Sequence, residues 1–206
     1  MDALIEVFLN SFITLTVIVD PLGTAAVFCA LTSTYTTPKL RKTALRATII
    51  AFCLLLFFGV LGNVLLQRLG ISLPAFRIAG GLLLFISAFR MLFGHSHAEN
   101  GPDVQSDNDI AVFPIAIPLL AGPGCMTAII LLMSRAHDMA GHLTVLGGLA
   151  VTHVVALLCL LGAAPIRRAL GAGGINILAR VMGIILAAMS VQFVADGLRG
   201  MQVIPG

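Results

Sequence analysis

Val19-Asp20-Pro21-Leu22-Gly23 stands in the middle of an apolar run that covers roughly residues 3–33. Fully helical, those ~31 residues would reach ~46 Å at 1.5 Å per residue, well beyond a hydrocarbon core of ~30 Å. Proline removes a backbone donor and clashes with the preceding turn, and glycine permits unusual dihedrals. The run therefore reads as one membrane segment broken near mid-depth. A second such stretch, Ala121-Gly122-Pro123-Gly124, lies at the centre of a later apolar run.

The rest of the 206-residue chain fits a bilayer. It is 59% hydrophobic and 10% charged, with a mean hydropathy of +1.06, where a soluble domain carries about 25% charged residues. So little polar surface could not cover a globule in water. Trp is absent and there is one Tyr, so the usual aromatic belt is thin. The start, Met1-Asp2-Ala3-Leu4-Ile5-Glu6, is acidic where a cleavable signal would be basic; the first segment is expected to be retained. The cysteines Cys29, Cys53, Cys125 and Cys159 sit inside apolar runs without a close pair. They read as small apolar fillers, and no metal site is expected.

Six runs are long enough to cross: about 3–33, 43–66, 74–93, 110–133, 142–162 and 176–198. The longest polar stretch runs from His95 to Asp109, and Asp107, Asn108 or Asp109 could cap the helix that follows. Lys39, Arg41, Lys42, Arg46, Arg90, Arg167, Arg168 and Arg180 fall on one side, and Arg68, Arg77, Arg135 and Arg199 on the other. The richer side should be cytoplasmic, which puts both termini outside, in the periplasm of a bacterial inner membrane.

Slid against itself by 103 residues, the chain lays Arg77-Ile78-Ala79-Gly80 over Arg180-Val181-Met182-Gly183, Ser87 over Ser190 and Gly70 over Gly173; a shift of 102 pairs Pro21 with Pro123. Each half holds three spans, an odd number, so the second half must be inverted. The expected fold is an all-α membrane protein of six transmembrane segments, two inverted three-helix repeats with segments 1 and 4 interrupted at mid-membrane. Residues 1–93 form the first repeat, 94–109 a polar cytoplasmic connector and 110–206 the second repeat.

Paired interruptions in matching segments point to a transporter binding site, because broken backbone at membrane depth survives only where protein or a water-filled cavity satisfies it. The substrate-binding candidates are thus Asp20, Pro21, Gly23, Thr24, Gly122, Pro123, Gly124 and Thr127. Ordinary proline kinks are the bland alternative. A carboxylate near the bilayer centre costs ~3 kcal/mol or more unless paired or neutralised, so Asp20 is a candidate for proton uptake or for binding an ammonium group. It could equally cap the half-helix beginning at Pro21, and both roles can coexist. Thr24 and Thr127 could line the site or bond back to their own helices. Arg77 and Arg180 could snorkel to the headgroups or form gating ion pairs, and His153 could be a packing histidine or a proton relay. Small residues at Gly80, Ser87, Ala179, Gly183 and Ala187 read as close-packing faces.

These residues match a known pattern. Val19-Asp20-Pro21-Leu22-Gly23 with Phe28, Arg77-Ile78-Ala79-Gly80-Gly81, and the stretch Asp109-Ile110-Ala111-Val112-Phe113-Pro114 running on through Pro118-Leu119-Leu120-Ala121-Gly122-Pro123-Gly124 resemble the MarC family of bacterial and archaeal inner-membrane proteins over essentially the whole chain. The resemblance implies six spans with outward termini. Similar proteins include one described as a small neutral amino acid transporter, and the fold looks related to that of amino-acid exporters. Many members have Asn in the first break where this chain has Asp20. No further binding residue carries over.

The leading expectation is a secondary transporter of a small neutral solute, glycine, alanine or serine, possibly proton-coupled through Asp20. An intramembrane enzyme would need converging groups such as two acids, a Ser–His pair or a metal cluster, and here one deep acid stands alone with His153. A structural or sensory role would have little but the central connector to work through. No cofactor and no nucleic-acid partner are expected; the partners are the solute and the lipid bilayer.

Overall fold

The computed structural model describes residues 2–93, 110–136 and 138–202. Every element among them is helical: α1 (Asp2–Val19), α2 (Pro21–Leu31), α3 (Thr37–Arg68), α4 (Leu73–Phe93), α5 (Ala111–Leu120), α6 (Pro123–Arg135), α7 (Met139–Leu161) and α8 (Ala163–Gly200). The connector 94–109, and with it the capping candidates Asp107, Asn108 and Asp109, lies outside the described residues.

The helix α3 displays the logic of the whole chain. It follows Thr36 with Pro38 in its first turn, where a missing N–H leaves no bond unmade. Leu40, Ala44, Ala47, Ala51, Leu55, Phe58, Gly62 and Leu66 recur every three or four residues and are buried, forming one inward stripe. The opposite face is apolar too: Ile49, Val60, Leu61 and Val64 are exposed. A helix apolar all round belongs in a core or a membrane, and exposed aliphatic faces recur on α1, α4, α7 and α8.

Four stretches are long and apolar enough to cross a bilayer: Leu4–Leu31, Thr37–Arg68, Met139–Leu161 and Arg180–Gly200. A fifth is the bent pair Ala111–Leu120 and Pro123–Arg135, which turns through 52°. The apolar part of α4, Leu73–Ile86, is shorter. The chain is thus an all-helical protein with four or five candidate spans, and no strand among the described residues.

Two elements differ from simple helices. In α5 Phe113 and Ile117 are extended (φ −129°, ψ 123° and φ −125°, ψ 122°), each before a proline joined by a cis bond, Pro114 and Pro118. The clash of a proline ring with the residue before it disfavours helical dihedrals there, so the fourth segment is irregular well ahead of its expected break. Its last turn is wide, with Ala121 N–H bonding Ala116 C=O at 2.8 Å. In α8 the helix is broken at Gly171, where φ is +62°. Gly70, just before α4, is the other glycine with a left-handed backbone among the described residues, φ +66°.

The most extensive helix pair is α4 with α8, followed by α1 with α7. Further pairs join α2 to α8 and α7, α3 to α5, α6 and α7, and α4 to α5 and α6. Almost every substantial pairing links the first half of the chain to the second, so the two halves interlock around a shared core of Leu15, Phe28, Leu55, Leu120, Ile129 and Leu149. Small residues allow the closest approaches. A Cβ on Gly80 would overlap the ring of Pro123, which makes Gly80 the seat on which the second break rests.

Gly80→Ala should therefore cost about 1–3 kcal/mol, the range for overpacking a tight contact, and lower the thermal midpoint in detergent. Gly173→Ala, where a Cβ would meet nothing within 4 Å, should leave that midpoint unchanged or raise it.

Candidate functional site

The first break is built on Asp20, whose backbone is left-handed (φ 43°, ψ 71°). Asp is among the few non-glycine residues that adopt this region readily. Its N–H still closes α1 on Thr16 C=O at 3.1 Å, and its own C=O opens α2 by accepting from Thr24 N–H at 2.9 Å. The carboxylate Oδ1 accepts from Gly23 N–H at 3.0 Å, so Asp20 is the N-cap of α2. Glycine at 23 leaves room for this, because a Cβ there would run into the Asp20 carboxylate. With Gly23 N–H diverted, the Val19 carbonyl accepts instead from the Thr24 hydroxyl at 3.0 Å. Two backbone groups left open at this break, Gly23 N–H and Val19 C=O, are thus answered by two neighbouring side chains. The two pieces run on as one 28-residue span.

The second break is made differently. Gly122 is extended (φ −76°, ψ 168°) with no side-chain cap, and α6 starts at Pro123. Met126 N–H bonds Gly122 C=O at 2.9 Å, and Thr127 donates to Pro123 C=O at 2.7 Å. A Cβ at Gly122 would collide with the Pro118 carbonyl, so the bend closes tightly on itself.

The breaks meet. One cavity is walled by Asp20, Gly23 and Thr24 from the first break, by Pro118, Leu119, Gly122 and Cys125 from the second, and by Leu84 of α4 and Met182, Leu186 and Met189 of α8. It encloses about 30 Å³, room for a water or two. Asp20 is exposed, so it stands on the open side. A second, wider cavity of about 380 Å³ is lined by Asn10, Thr14, Arg77, Gly124, Thr127, Arg135 and Asp196 among others. Ile18 and Phe193 line both. A Cβ on Gly124 would touch each of them, Ile18 Cγ2 and Phe193 Cζ both at 3.4 Å. These two apolar side chains, backed by Gly124, are the partition between the chamber at the breaks and the outer vestibule.

Of the residues singled out from the sequence, Asp20, Gly23, Thr24 and Gly122 line the chamber, and Gly124, Thr127 and Arg77 line the vestibule. Pro21 and Pro123 are buried beside the breaks but line neither cavity. Arg180 is exposed and away from both, as snorkelling requires. His153 is buried in the seam of α7 with α3: Nδ1 meets Leu149 C=O at 3.0 Å, and the ring stands edge-on to Phe52. The Thr127 hydroxyl bonds back to its own helix at Pro123 C=O, while the Thr24 hydroxyl reaches across the break to Val19 C=O of α1. Sequence reasoning missed Phe193, Ile18, Arg135 and Asp196. Only charge pattern could have flagged the last two, since both fall near the same end of the bundle. Among the described residues no three His, Cys, Asp or Glu side chains converge as a metal site.

A helical, lipid-faced chain with an interior cavity at two broken segments is a polytopic integral membrane protein. The description "MarC family integral membrane protein" matches residues 5–202, and the chain belongs to this family. It is 43% identical to a UPF0056 membrane protein of Archaeoglobus fulgidus, over 93% of this chain and 92% of that one. It is 34% identical to the UPF0056 membrane protein YhcE of Escherichia coli, over 97% and 94%, and 32% identical to YvbG of Bacillus subtilis, over 92% and 93%. No solved structure matches.

Two outcomes follow from this geometry. Asp20→Ala should lower stability by about 1 kcal/mol through loss of the cap, whereas Asp20→Asn, which keeps an acceptor and tolerates the left-handed region, should not; thermal unfolding in detergent separates them. With Cys125 as the sole cysteine, Phe193→Ala should join the two cavities and speed labelling of that thiol by a membrane-impermeant maleimide from the vestibule side. Equal labelling rates before and after the substitution would mean that Phe193 is not the partition.

Proposed function

We propose that this protein is a secondary transporter of a small neutral solute, most simply glycine, alanine or serine, which passes through the chamber between the two breaks. The observation that carries the reading is the convergence of Asp20, Gly23 and Thr24 with Pro118 and Gly122 on one cavity. Backbone interrupted at membrane depth needs a polar neighbourhood, and transporters put their binding sites where such breaks meet. At about 30 Å³ the chamber is too small for even glycine, so loading requires the half-helices to part. An enzyme of the bilayer would need a positioned set of reactive groups; among the described residues the chamber wall holds the Asp20 carboxylate, the Thr24 hydroxyl and the Cys125 thiol, with no imidazole or amine beside them.

The six-span, inverted-repeat architecture is part of the same proposal. Exchanging halves maps α1–α2 onto α5–α6, α3 onto α7 and α4 onto α8. Under that exchange α1 with α7 becomes α3 with α5–α6, α2 with α8 becomes α4 with α5–α6, and α4 with α8 maps onto itself. Several of the larger pairs occur with their exchanged counterparts, α1 with α7 beside α3 with α5, and α2 with α7 beside α3 with α6, which supports this reading. The 21 residues of α4 reach ~32 Å, enough for the sixth crossing. The Lys and Arg bias favours a bacterial inner membrane with both termini periplasmic, so that the vestibule faces outward and the chamber lies behind it.

Among the described residues Asp20 is the one carboxylate in the chamber wall, and it couples transport to protons by binding one with the solute and releasing it on the other side. In vesicles reconstituted with purified protein, a proton gradient should drive glycine or alanine accumulation. Asp20→Asn, which retains the cap, should leave exchange of solute intact and abolish its gradient dependence. Full gradient-driven uptake by that variant removes Asp20 from the coupling, and no uptake of any small neutral amino acid by the wild type removes the transport reading itself.

A further inference from the structure

The vestibule has a different chemistry from the chamber. Of the four arginines at that end of the bundle, two, Arg77 of α4 and Arg135 of α6, line it. A third, Arg199, is occupied: its Nη1 bonds Asp196 Oδ1 at 3.3 Å, and the same oxygen accepts from Gln192 Nε2 at 2.8 Å. The charge of Asp196 is thus answered along its own helix. Among the described residues, neither Arg77 nor Arg135 has a carboxylate or any other hydrogen-bond partner. Among the described residues Asp196 is the only acid in the vestibule wall, so the two open guanidinium groups leave it with a positive excess.

Snorkelling does not account for Arg77. A snorkelling arginine lays its stem along the lipid-facing surface, whereas Arg77 is half-buried and lines a cavity together with Asn10 and Thr14 of α1. A guanidinium presents a planar fork of donors that fits a carboxylate or phosphate. At about 380 Å³ the vestibule falls within the size range of small-molecule sites. Its inner wall reaches Gly124, Thr127 and Ala128 in the bundle and ends at the Ile18–Phe193 partition.

We propose that the vestibule is an outer recognition site for an oxyanion, and that Arg77 and Arg135 hold the carboxylate of the solute before it passes Ile18 and Phe193 into the chamber. The identity of the solute rests on the transport reading; the oxyanion site does not. A phospholipid phosphate is the other source of the same chemistry. Division of labour follows from this placement: the arginines read the carboxylate outside the partition, and Asp20 acts only behind it.

The test follows the melting temperature of detergent-purified protein with glycine, acetate, methylamine, inorganic phosphate or phosphatidylglycerol in mixed micelles, since a ligand of the folded state raises it. Glycine and acetate should raise it and methylamine should not. Arg77→Gln and Arg135→Gln should each weaken the apparent affinity for glycine and acetate by about tenfold or more, the usual effect of losing a charge-assisted hydrogen bond. Asp20→Asn should leave acetate binding unchanged. Should Arg77→Gln show no cooperative melt, Arg135→Gln, at the exposed end of α6, carries the comparison. An acetate effect that survives the double variant, or no effect of any carboxylate, overturns the proposal. Protection by phosphate and phosphatidylglycerol without acetate overturns the assignment to solute in favour of lipid. An arginine-dependent acetate effect in a protein that transports no amino acid supports the site while the transport reading falls.

Discussion

Backbone polar groups in a hydrocarbon phase have no water to turn to, and each one left unmade costs several kcal/mol. This constraint decides what two prolines can do to two membrane helices. At the first break it is met locally: the Asp20 carboxylate takes Gly23 N–H, and the Thr24 hydroxyl takes over for it at Val19 C=O. At the second it is met by geometry, with Gly122 extended, Pro123 starting a new helix and Thr127 bonding back to Pro123. Both solutions need side chains and backbone drawn into one place inside the bundle. A cavity that carries the Asp20 carboxylate and the Thr24 hydroxyl in an otherwise apolar wall lies where the two breaks meet.

The same constraint explains the unequal shapes of the two breaks. A single left-handed residue with a capping side chain keeps α1 and α2 running as one span, while the uncapped Gly122 hinge and the extended residues before Pro114 and Pro118 turn the other segment through 52°. The bent segment then needs a seat, which Gly80 supplies by offering no side chain under Pro123. The residues that read as close-packing positions and those that read as site positions therefore act together: remove the small residue and the break loses its support.

Interlocking of the halves sets the wall between chamber and vestibule. Ile18 comes from the end of α1, Gly124 from the start of α6 and Phe193 from α8, so the partition exists only when three elements distant in the chain are assembled. The vestibule likewise draws its arginines from α4 and α6 and its acid from α8. The two cavities therefore differ in chemistry, one holding two guanidinium groups and one carboxylate, the other a single carboxylate.

Composition, the apolar runs and the Asp-Pro-Leu-Gly and Ala-Gly-Pro-Gly interruptions were enough to determine a helical membrane protein with two broken segments, because length, hydropathy and missing backbone donors are local properties of the chain. The cap on α2 was legible for the same reason, since it spans only Asp20 to Gly23. The extended residues before Pro114 and Pro118 were open to the same local reasoning, since each precedes a proline. What only the tertiary structure decided is which groups share a wall: that the two breaks line one chamber, that Phe193 and Ile18 line both cavities, that Arg77 and Arg135 line the vestibule while Arg180 lines neither, and that His153 sits in the seam of α7 with α3. Such neighbourhoods depend on how α4, α6 and α8 cross, and in a chain apolar on every face no periodicity records which side of a helix will meet another.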